Sequence, residues 1–183
     1  MANPLYGQNK KDRAIAGVSP LGVVVPTIEK SEVSAGAFPT PAVNTHYIVT
    51  GTITASTPTL PAGVLGDVII VEMVSETVVD LMVTNSQALV FTTPGATFEY
   101  GSKVTWDAMT ASNGSAILAS GIDCTAALAT NDNTLTLTGA TAGGPGNGTY
   151  LIFTKGELYW RVEGHAYGAG ALTALPSVAF SNA

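Results

Sequence analysis

Charged residues are scarce in this chain of 183 residues. Asp, Glu, Lys and Arg together make up 11% of it, whereas soluble globular domains average about 25%. Hydrophobic residues make up 46%, so Thr, Ser, Gly and Ala replace the missing charges. This composition is the reverse of that of a disordered chain, which has high charge and few apolar groups. With 7 cationic against 13 acidic residues, we also expect no nucleic-acid groove, because such grooves are lined with cations.

Cysteine and histidine are rare as well. The single Cys124 cannot form an internal disulfide, and no second Cys or His nearby would activate its thiol, so we interpret it as a small half-buried hydrophobe. His46 and His165 lie far apart and lack the short spacing of zinc or iron sites. The sequence also contains no nucleophile-elbow or phosphate-loop motif. We therefore expect no metal, no cofactor and no catalytic residue, and the chain is not expected to be an enzyme.

Long apolar segments are also missing. The stretch from Val33 to Gly66 carries no charge, but it contains four prolines and many Thr, Ser and Asn residues. A membrane-spanning helix needs about 20 predominantly apolar residues, which this stretch does not offer. The N-terminus, MANPLYGQNKKDR, is not followed by the clean apolar core of a signal peptide. We expect neither a membrane span nor a standard secretion signal.

Two regions differ in composition. Residues 1–43 hold four of the seven cations and five prolines, which predicts an extended arm with at most one edge strand, from VSPLGVVVPTIE. Residues 44–183 contain short β-branched runs that recur roughly every 8 to 15 residues between Gly, Pro and Asn. This spacing is typical of an antiparallel sandwich or barrel. We predict an all-β, jelly-roll-like domain over residues 44–183, preceded by an arm over residues 1–43.

Individual strands can be predicted from alternation and turn residues. The last hairpin is predicted to turn at Lys155-Gly156 and to place Leu158, Trp160 and Val162 on one face. Residues 111–130 are predicted to be a long loop with one short helix or strand. The other predicted strands are HYIVTGTITAS (46–56), two strands within GDVIIVEMVSETVVDLMVTNS that turn near Ser75-Glu76, ALVFTT and TFEY on either side of Pro94-Gly95, SKVTWDAM, and TLTLT with Leu135 and Leu137 on one side.

Two clusters invite a functional interpretation. Glu72, Glu76 and Asp80 could form a calcium or glycosidase site, but a solvated or intersubunit row of charges explains them as well. Residues 131–133 (Asn-Asp-Asn) are explained as turn residues of a hairpin. Exposed aromatic side chains could bind sugars, although large aromatics more often lie in the core, as the alternation predicts for Trp160. The aromatic candidates are Phe98, Tyr100, Trp106, Tyr159 and Trp160.

Three segments resemble structural proteins of tailed bacteriophage particles. The pattern from Gly66 to Asn85, GD-VI-V, a turn and TVV-L-VTN, resembles the middle of many such proteins. The ending GTYLIF…YWRVEGHAYGAGALTALPSVAF resembles theirs too, with a Trp-x-Val-x-Gly strand before a Gly-Ala-rich stretch. The opening MANPLYGQNKKD is similar to the start of such proteins in phages of aquatic bacteria. The resemblance implies a capsid decoration (cement) protein, or a head or tail fibre component with a receptor- or glycan-binding domain.

The resemblance also implies a location and partners. Decoration proteins of this kind are commonly β-rich trimers on the outside of the head, with an arm that binds the major capsid protein. The candidate contacts with the capsid or another partner are Tyr6, Lys10, Lys11 and Arg13, although the cations could equally belong to a solvated arm. The residues themselves also indicate an oligomer. A sheet face rich in Thr costs little to desolvate, and strand edges with few charges are poorly protected from association.

Overall fold

The computed structural model describes residues 27–74, 87–95, 97–108, 123–126, 132–138, 143–170 and 177–182. All regular elements in these ranges are strands, and the described part contains no helix, so the predicted all-β fold class is confirmed. The strands are β1 (Glu29–Val33), β2 (Thr45–Val49), β3 (Val68–Met73), β4 (Ala88–Thr92), β5 (Lys103–Ala108), β6 (Asp123–Ala126), β7 (Thr134–Thr138), β8 (Gly143–Pro145), β9 (Tyr150–Lys155), β10 (Trp160–Gly170) and β11 (Ser177–Ser181).

The strands form two sheets. The larger has the order β1-β2-β3-β9-β10-β5-β6, with β8 paired to the far part of β10. It is mixed, because β1 with β2, β2 with β3, and β10 with β5 are parallel pairs. The smaller sheet, β11-β7-β4, is antiparallel as predicted. The prediction of purely antiparallel pairing is therefore wrong for the larger sheet, and the choice between sandwich and barrel stays a prediction.

A chain of aromatic rings connects the two sheets through the core. Phe91 on β4 of the smaller sheet lies 5.4 Å from Phe38 and 4.9 Å from Phe153 on β9 of the larger sheet, measured between ring centroids. Phe98 continues the chain, at 6.5 Å from Phe153 and 5.5 Å from Phe180 on β11. Rings at these distances and tilts pack favourably beyond the apolar area that they bury. The smaller sheet therefore contacts the inner face of the larger one through these rings.

Alternation along the strands agrees with the predicted core in most places. Leu135 and Leu137 on β7 are fully buried, as are Trp160 and Val162 on β10. Leu158 was predicted on the same face as Trp160, and this prediction is wrong. It lies in the turn before β10, where the strand period does not apply, and its side chain is 72% exposed. The predicted hairpin turn after Lys155 is confirmed by the antiparallel pairing of β9 with β10.

Two predicted strands differ from the structure. The run 46–56 forms a strand only as far as Val49, and beyond it residue 53 pairs with residue 36 as an isolated bridge. The segment TFEY is not a strand. The amide of Phe98 donates to the carbonyl of Asp132 at 2.7 Å and that of Glu99 to the carbonyl of Trp160 at 2.8 Å, so the segment bridges two partners.

The predicted arm overlaps the folded part of the chain. β1 begins at Glu29, at the end of the run predicted as an edge strand, and it does form the edge of the larger sheet. Val33 and Phe38 are buried in the core. The boundary at residue 43 stays a prediction, and residues 1–26 lie outside the described part. β6 provides a short strand inside residues 111–130, as predicted, whereas the second strand after the turn near residue 75 lies outside the described residues.

Candidate interaction surface

Exposed apolar side chains are concentrated at one end of the larger sheet. Val64, Leu65, Tyr100 and Leu158 are between 69% and 73% exposed, which is high for large apolar side chains. Three further side chains with smaller exposed fractions belong to the same group. We call this surface the apolar end, and its members are Ile28, Val43, Val64, Leu65, Tyr100, Leu158 and Tyr159.

Sheet register explains why these residues meet. β1, β2 and β3 run parallel and begin at the same end, with Glu29 opposite Thr45 and Thr45 opposite Ile69. The antiparallel β9 ends there and β10 begins there, because Trp160 pairs with Lys155. β5 runs parallel to β10 and begins at that end as well. The segments that precede β1, β2, β3, β5 and β10 therefore converge on one surface.

The loop that carries Val64 and Leu65 is held by a buried carboxylate. The Asp67 side chain accepts hydrogen bonds from the Val64 amide at 2.7 Å and from the Asn44 side-chain amide at 3.0 Å. Asn44 occupies the left-handed region (φ 56°), which Asn tolerates better than most residues, and its side-chain oxygen accepts from the Val68 amide. Hydrogen bonds to an ionised group are stronger than neutral ones. This loop therefore presents its two apolar side chains from a fixed backbone.

The β9–β10 turn, which carries Leu158 and Tyr159, is held in a similar way. The Lys155 side chain is buried, and its ammonium donates to the Leu158 carbonyl at 2.7 Å. The Gly156 amide donates to the Tyr159 carbonyl at 2.9 Å. Below the turn, the Trp160 indole N–H donates to the carbonyl of Pro61 at 2.8 Å and so connects β10 to the loop before β3.

The turn that carries Tyr100 completes the surface. The Ser102 hydroxyl and amide both donate to the Glu99 carbonyl, at 2.8 Å and 3.0 Å, and close the turn. Two carboxylates, Glu99 and Glu157, lie in the same turns as Tyr100 and Leu158. The apolar end thus combines exposed apolar side chains, on turns closed by hydrogen bonds, with acidic groups. Large exposed apolar side chains gathered at one end of a sheet are a feature of interaction sites.

The two histidines lie on the opposite side of the larger sheet from the core, on what we call the outer face. The His46 imidazole lies 2.9 Å from the Glu72 carboxylate, and the His165 ring nitrogen lies 2.6 Å from the Thr105 hydroxyl. Glu72, Tyr150 and His165 are directly opposite one another across β3, β9 and β10. No group of three or more His, Cys, Asp and Glu side chains is arranged to hold a metal ion among the residues that the structure describes.

The predicted site residues are only partly placed by the structure. Tyr6, Lys10, Lys11 and Arg13 lie outside the described residues, and so do Glu76 and Asp80 of the acidic trio. Glu72 is described, and its contact is with His46. Among the predicted aromatics, Phe98 and Trp160 belong to the core, whereas Tyr100 and Tyr159 are exposed at the apolar end; the side chain of Trp106 lies outside the description.

Sequence reasoning missed the exposed Val64, Leu65 and Leu158. All three follow or precede a strand within a turn, and neighbouring Gly and Pro residues mark those turns. An apolar residue inside a clear turn signal is the pattern that could have identified them. These turns lie at the same end of the sheet because β1, β2 and β3 run parallel. The alternation and turn residues of a single segment do not show which distant strand lies beside it.

Comparison with known proteins adds no relative. No protein-family profile, no curated protein and no solved structure matches this chain. Within the described ranges, the structure contains no helix of the length and apolarity needed to cross a membrane.

Proposed function

We propose that this chain is a structural protein of a tailed-phage particle, which binds the outer capsid shell as an oligomeric decoration protein. The observation that carries the proposal is the apolar end, where Val64, Leu65, Tyr100 and Leu158 stand largely exposed on turns held by buried polar groups. Charged residues keep apolar surfaces from associating, and this chain has few of them, at 11%. Burial of this surface against another protein is the arrangement that its chemistry favours.

Several sequence features support the same proposal. The segments that resemble phage virion proteins include the strands β3, β9 and β10 of the larger sheet. Tyr6, Lys10, Lys11 and Arg13 remain the proposed contacts of the N-terminal segment with the capsid or another partner. The trimer stays a prediction of the resemblance.

Binding of the purified chain to phage heads tests the proposal. Heads of the phage that encodes the chain, purified without it, are incubated with the chain and separated on a density gradient. We expect the chain to sediment with the heads, and the double variant Leu65→Ser and Leu158→Ser to bind at least about tenfold more weakly. The matched control is Tyr150→Ser with Ile152→Ser, which removes two exposed apolar side chains from the outer face instead. A chain that stays at the top of the gradient, and is absent from purified particles by mass spectrometry, would contradict the proposal.

A glycan- or receptor-binding role at a fibre tip is the second candidate. It is favoured by Tyr100 and Tyr159, two exposed aromatic side chains at the same end of the sheet. Aromatic faces of this kind can stack on sugar rings. Binding of the chain to host cells that depends on Tyr100 and Tyr159, without binding to heads, would favour this role over decoration.

A further inference from the structure

The β1 edge of the larger sheet, where no further described strand is paired, carries charges of both signs. β1 is the edge strand, and its backbone groups alternate between pairing with β2 and pointing away from it. The Glu29 amide donates to the Asn44 carbonyl at 2.8 Å, and the Val33 carbonyl accepts from the Thr50 amide at 3.0 Å, so the backbone N–H and C=O groups of residues 29, 31 and 33 point toward β2. The N–H and C=O groups of Lys30 and Glu32 therefore point outward, and no other described strand pairs with them.

The side chains of these two residues have opposite charges and lie on the same face. Lys30 is opposite His46 and Glu32 is opposite Ile48, so both stand on the outer face, and both are exposed. Proteins commonly protect an edge strand with charges that repel a second copy. A cation and an anion two residues apart do not repel a second copy when that copy runs antiparallel.

We propose that β1 pairs with β1 of a second copy of the chain, antiparallel, about a two-fold axis at Ser31. Residues whose backbone groups both point outward must form the hydrogen-bonded pairs of an antiparallel ladder. In this register Lys30 forms a hydrogen-bonded pair with Glu32 of the partner subunit. Glu32 forms the equivalent pair with Lys30 of the partner subunit. Four main-chain hydrogen bonds and two cross-strand ion pairs form at once, and the two large sheets become one continuous sheet.

Charge selects this register over its neighbours. A shift by one residue turns the outward backbone groups away from their partners. A shift by two residues places Lys30 opposite Lys30 of the partner subunit, or Glu32 opposite Glu32 of the partner subunit. Parallel pairing in register opposes like charges at both positions, which destabilises a strand pair. Among these registers, only the one centred on Ser31 places opposite charges across from each other and also lets the outward N–H and C=O groups form hydrogen bonds.

This inference goes beyond the proposed function and uses another surface. A two-fold contact at β1 leaves Val64, Leu65, Tyr100 and Leu158 of the apolar end outside the paired strands, so the proposed head binding and the β1 pairing use different residues. The inference also holds for a chain with no role in a phage particle, because it depends only on β1 and its two charged side chains.

Charge reversal with mixing tests the pairing. Sedimentation velocity of the full chain should show a dimer that forms at concentrations on the order of 100 µM, since an edge contact buries a small area. Lys30→Glu alone and Glu32→Lys alone should each weaken self-association at least about tenfold, because two attractive pairs become repulsive. An equimolar mixture of these two variants should associate at least as well as the unchanged chain, because every cross-strand pair in the mixed dimer is attractive.

Amide hydrogen exchange gives a second readout that does not require a substitution. The amides of Lys30 and Glu32 should exchange fast in dilute samples and slow down at associating concentrations, whereas the amide of Ser31, which faces β2, should be protected in both. Three results would overturn the proposal: a monomer throughout the concentration range, association that neither reversal weakens, or protection of Lys30 and Glu32 at every dilution. The last would mean that another part of the same chain pairs with β1.

Discussion

At the scale of single residues, Gly51 has the strictest requirement. A Cβ atom at this position would overlap the carbonyl oxygen of Ser34, because the segment after β2 runs parallel to and very close to the segment after β1. The two segments are joined by main-chain hydrogen bonds from Gly36 to the Thr52 carbonyl and from Thr54 to the Gly36 carbonyl, both at 2.9 Å. Glycine is present here because the backbones approach too closely for any side chain.

We expect Gly51→Ala to destabilise the protein by about 3 kcal/mol, since the backbone must shift and the bonds around residue 36 weaken. Urea unfolding followed by circular dichroism measures the loss. The matched control is Gly95→Ala, where the nearest atom to a new Cβ, in the ring of Tyr159, lies at an ordinary 3.9 Å. Equal unfolding free energies for the two variants would contradict the close approach of residues 34 and 51.

At the scale of elements, β1 and the segment after it are the part of the predicted arm that the fold requires. Val33 and Phe38 lie in the core, and the Phe38 ring contacts both Tyr47 and Phe91. A deletion of residues 1–43 therefore removes an edge strand and part of the aromatic chain, whereas a deletion of residues 1–26 leaves every described strand in place.

We expect the chain lacking residues 1–26 to keep every described strand and to unfold cooperatively, and the chain lacking residues 1–43 to be less stable than it by at least about 3 kcal/mol or to fail to fold. Removal of a buried Phe alone has an effect of this size. Differential scanning calorimetry of the two truncated chains makes the comparison. If the longer deletion were as stable as the shorter one, β1 and Phe38 would not belong to the folded domain.

Most strands could be predicted because their patterns are local. β7 alternates strictly in sequence, and Leu135 and Leu137 are buried as that period requires. β9 could be predicted from the hairpin turn after Lys155. TFEY alternates in the same way as β7 but forms no strand. It is a connecting segment whose amides bond to the Asp132 carbonyl, just before β7 of the smaller sheet, and to the Trp160 carbonyl in β10 of the larger sheet. The parallel partners of β2, β3 and β5 could not be predicted. Which distant strand lies beside another depends on the whole arrangement and leaves no period in the sequence.

At the scale of the whole molecule, the two sheets are expected to unfold as one unit. Phe91 belongs to the smaller sheet and packs directly on Phe153 in the middle of the larger one. Phe180 on β11 packs on Phe98, which in turn packs on Phe153. Neither sheet can lose its partner without exposing this aromatic chain to water, which makes independent unfolding costly.

We therefore expect one unfolding transition in urea, with the same midpoint by tryptophan fluorescence and by far-ultraviolet circular dichroism. Phe153→Ala should lower the free energy of unfolding by about 4 kcal/mol and leave the two midpoints coincident. Its control is Ile152→Ala, the neighbouring exposed residue on the outer face, which should lower it by less than about 1 kcal/mol. Two separated midpoints in the unchanged chain would show that the sheets unfold independently.

The middle of the larger sheet is built from strands that come late in the chain. β9 and β10 lie between β3 and β5, and Thr105 meets His165 across 60 residues of sequence. At 5–20 residues per second, the roughly 80 residues from the end of β3 to the end of β9 take about 4 to 16 seconds to synthesise, and β5 is completed within this interval. During that time β3 and β5 have open edges and apolar inner faces. The sheet therefore closes only after β9 and β10 have been synthesised, and a slower ribosome would lengthen the period in which newly made chains are most prone to aggregate.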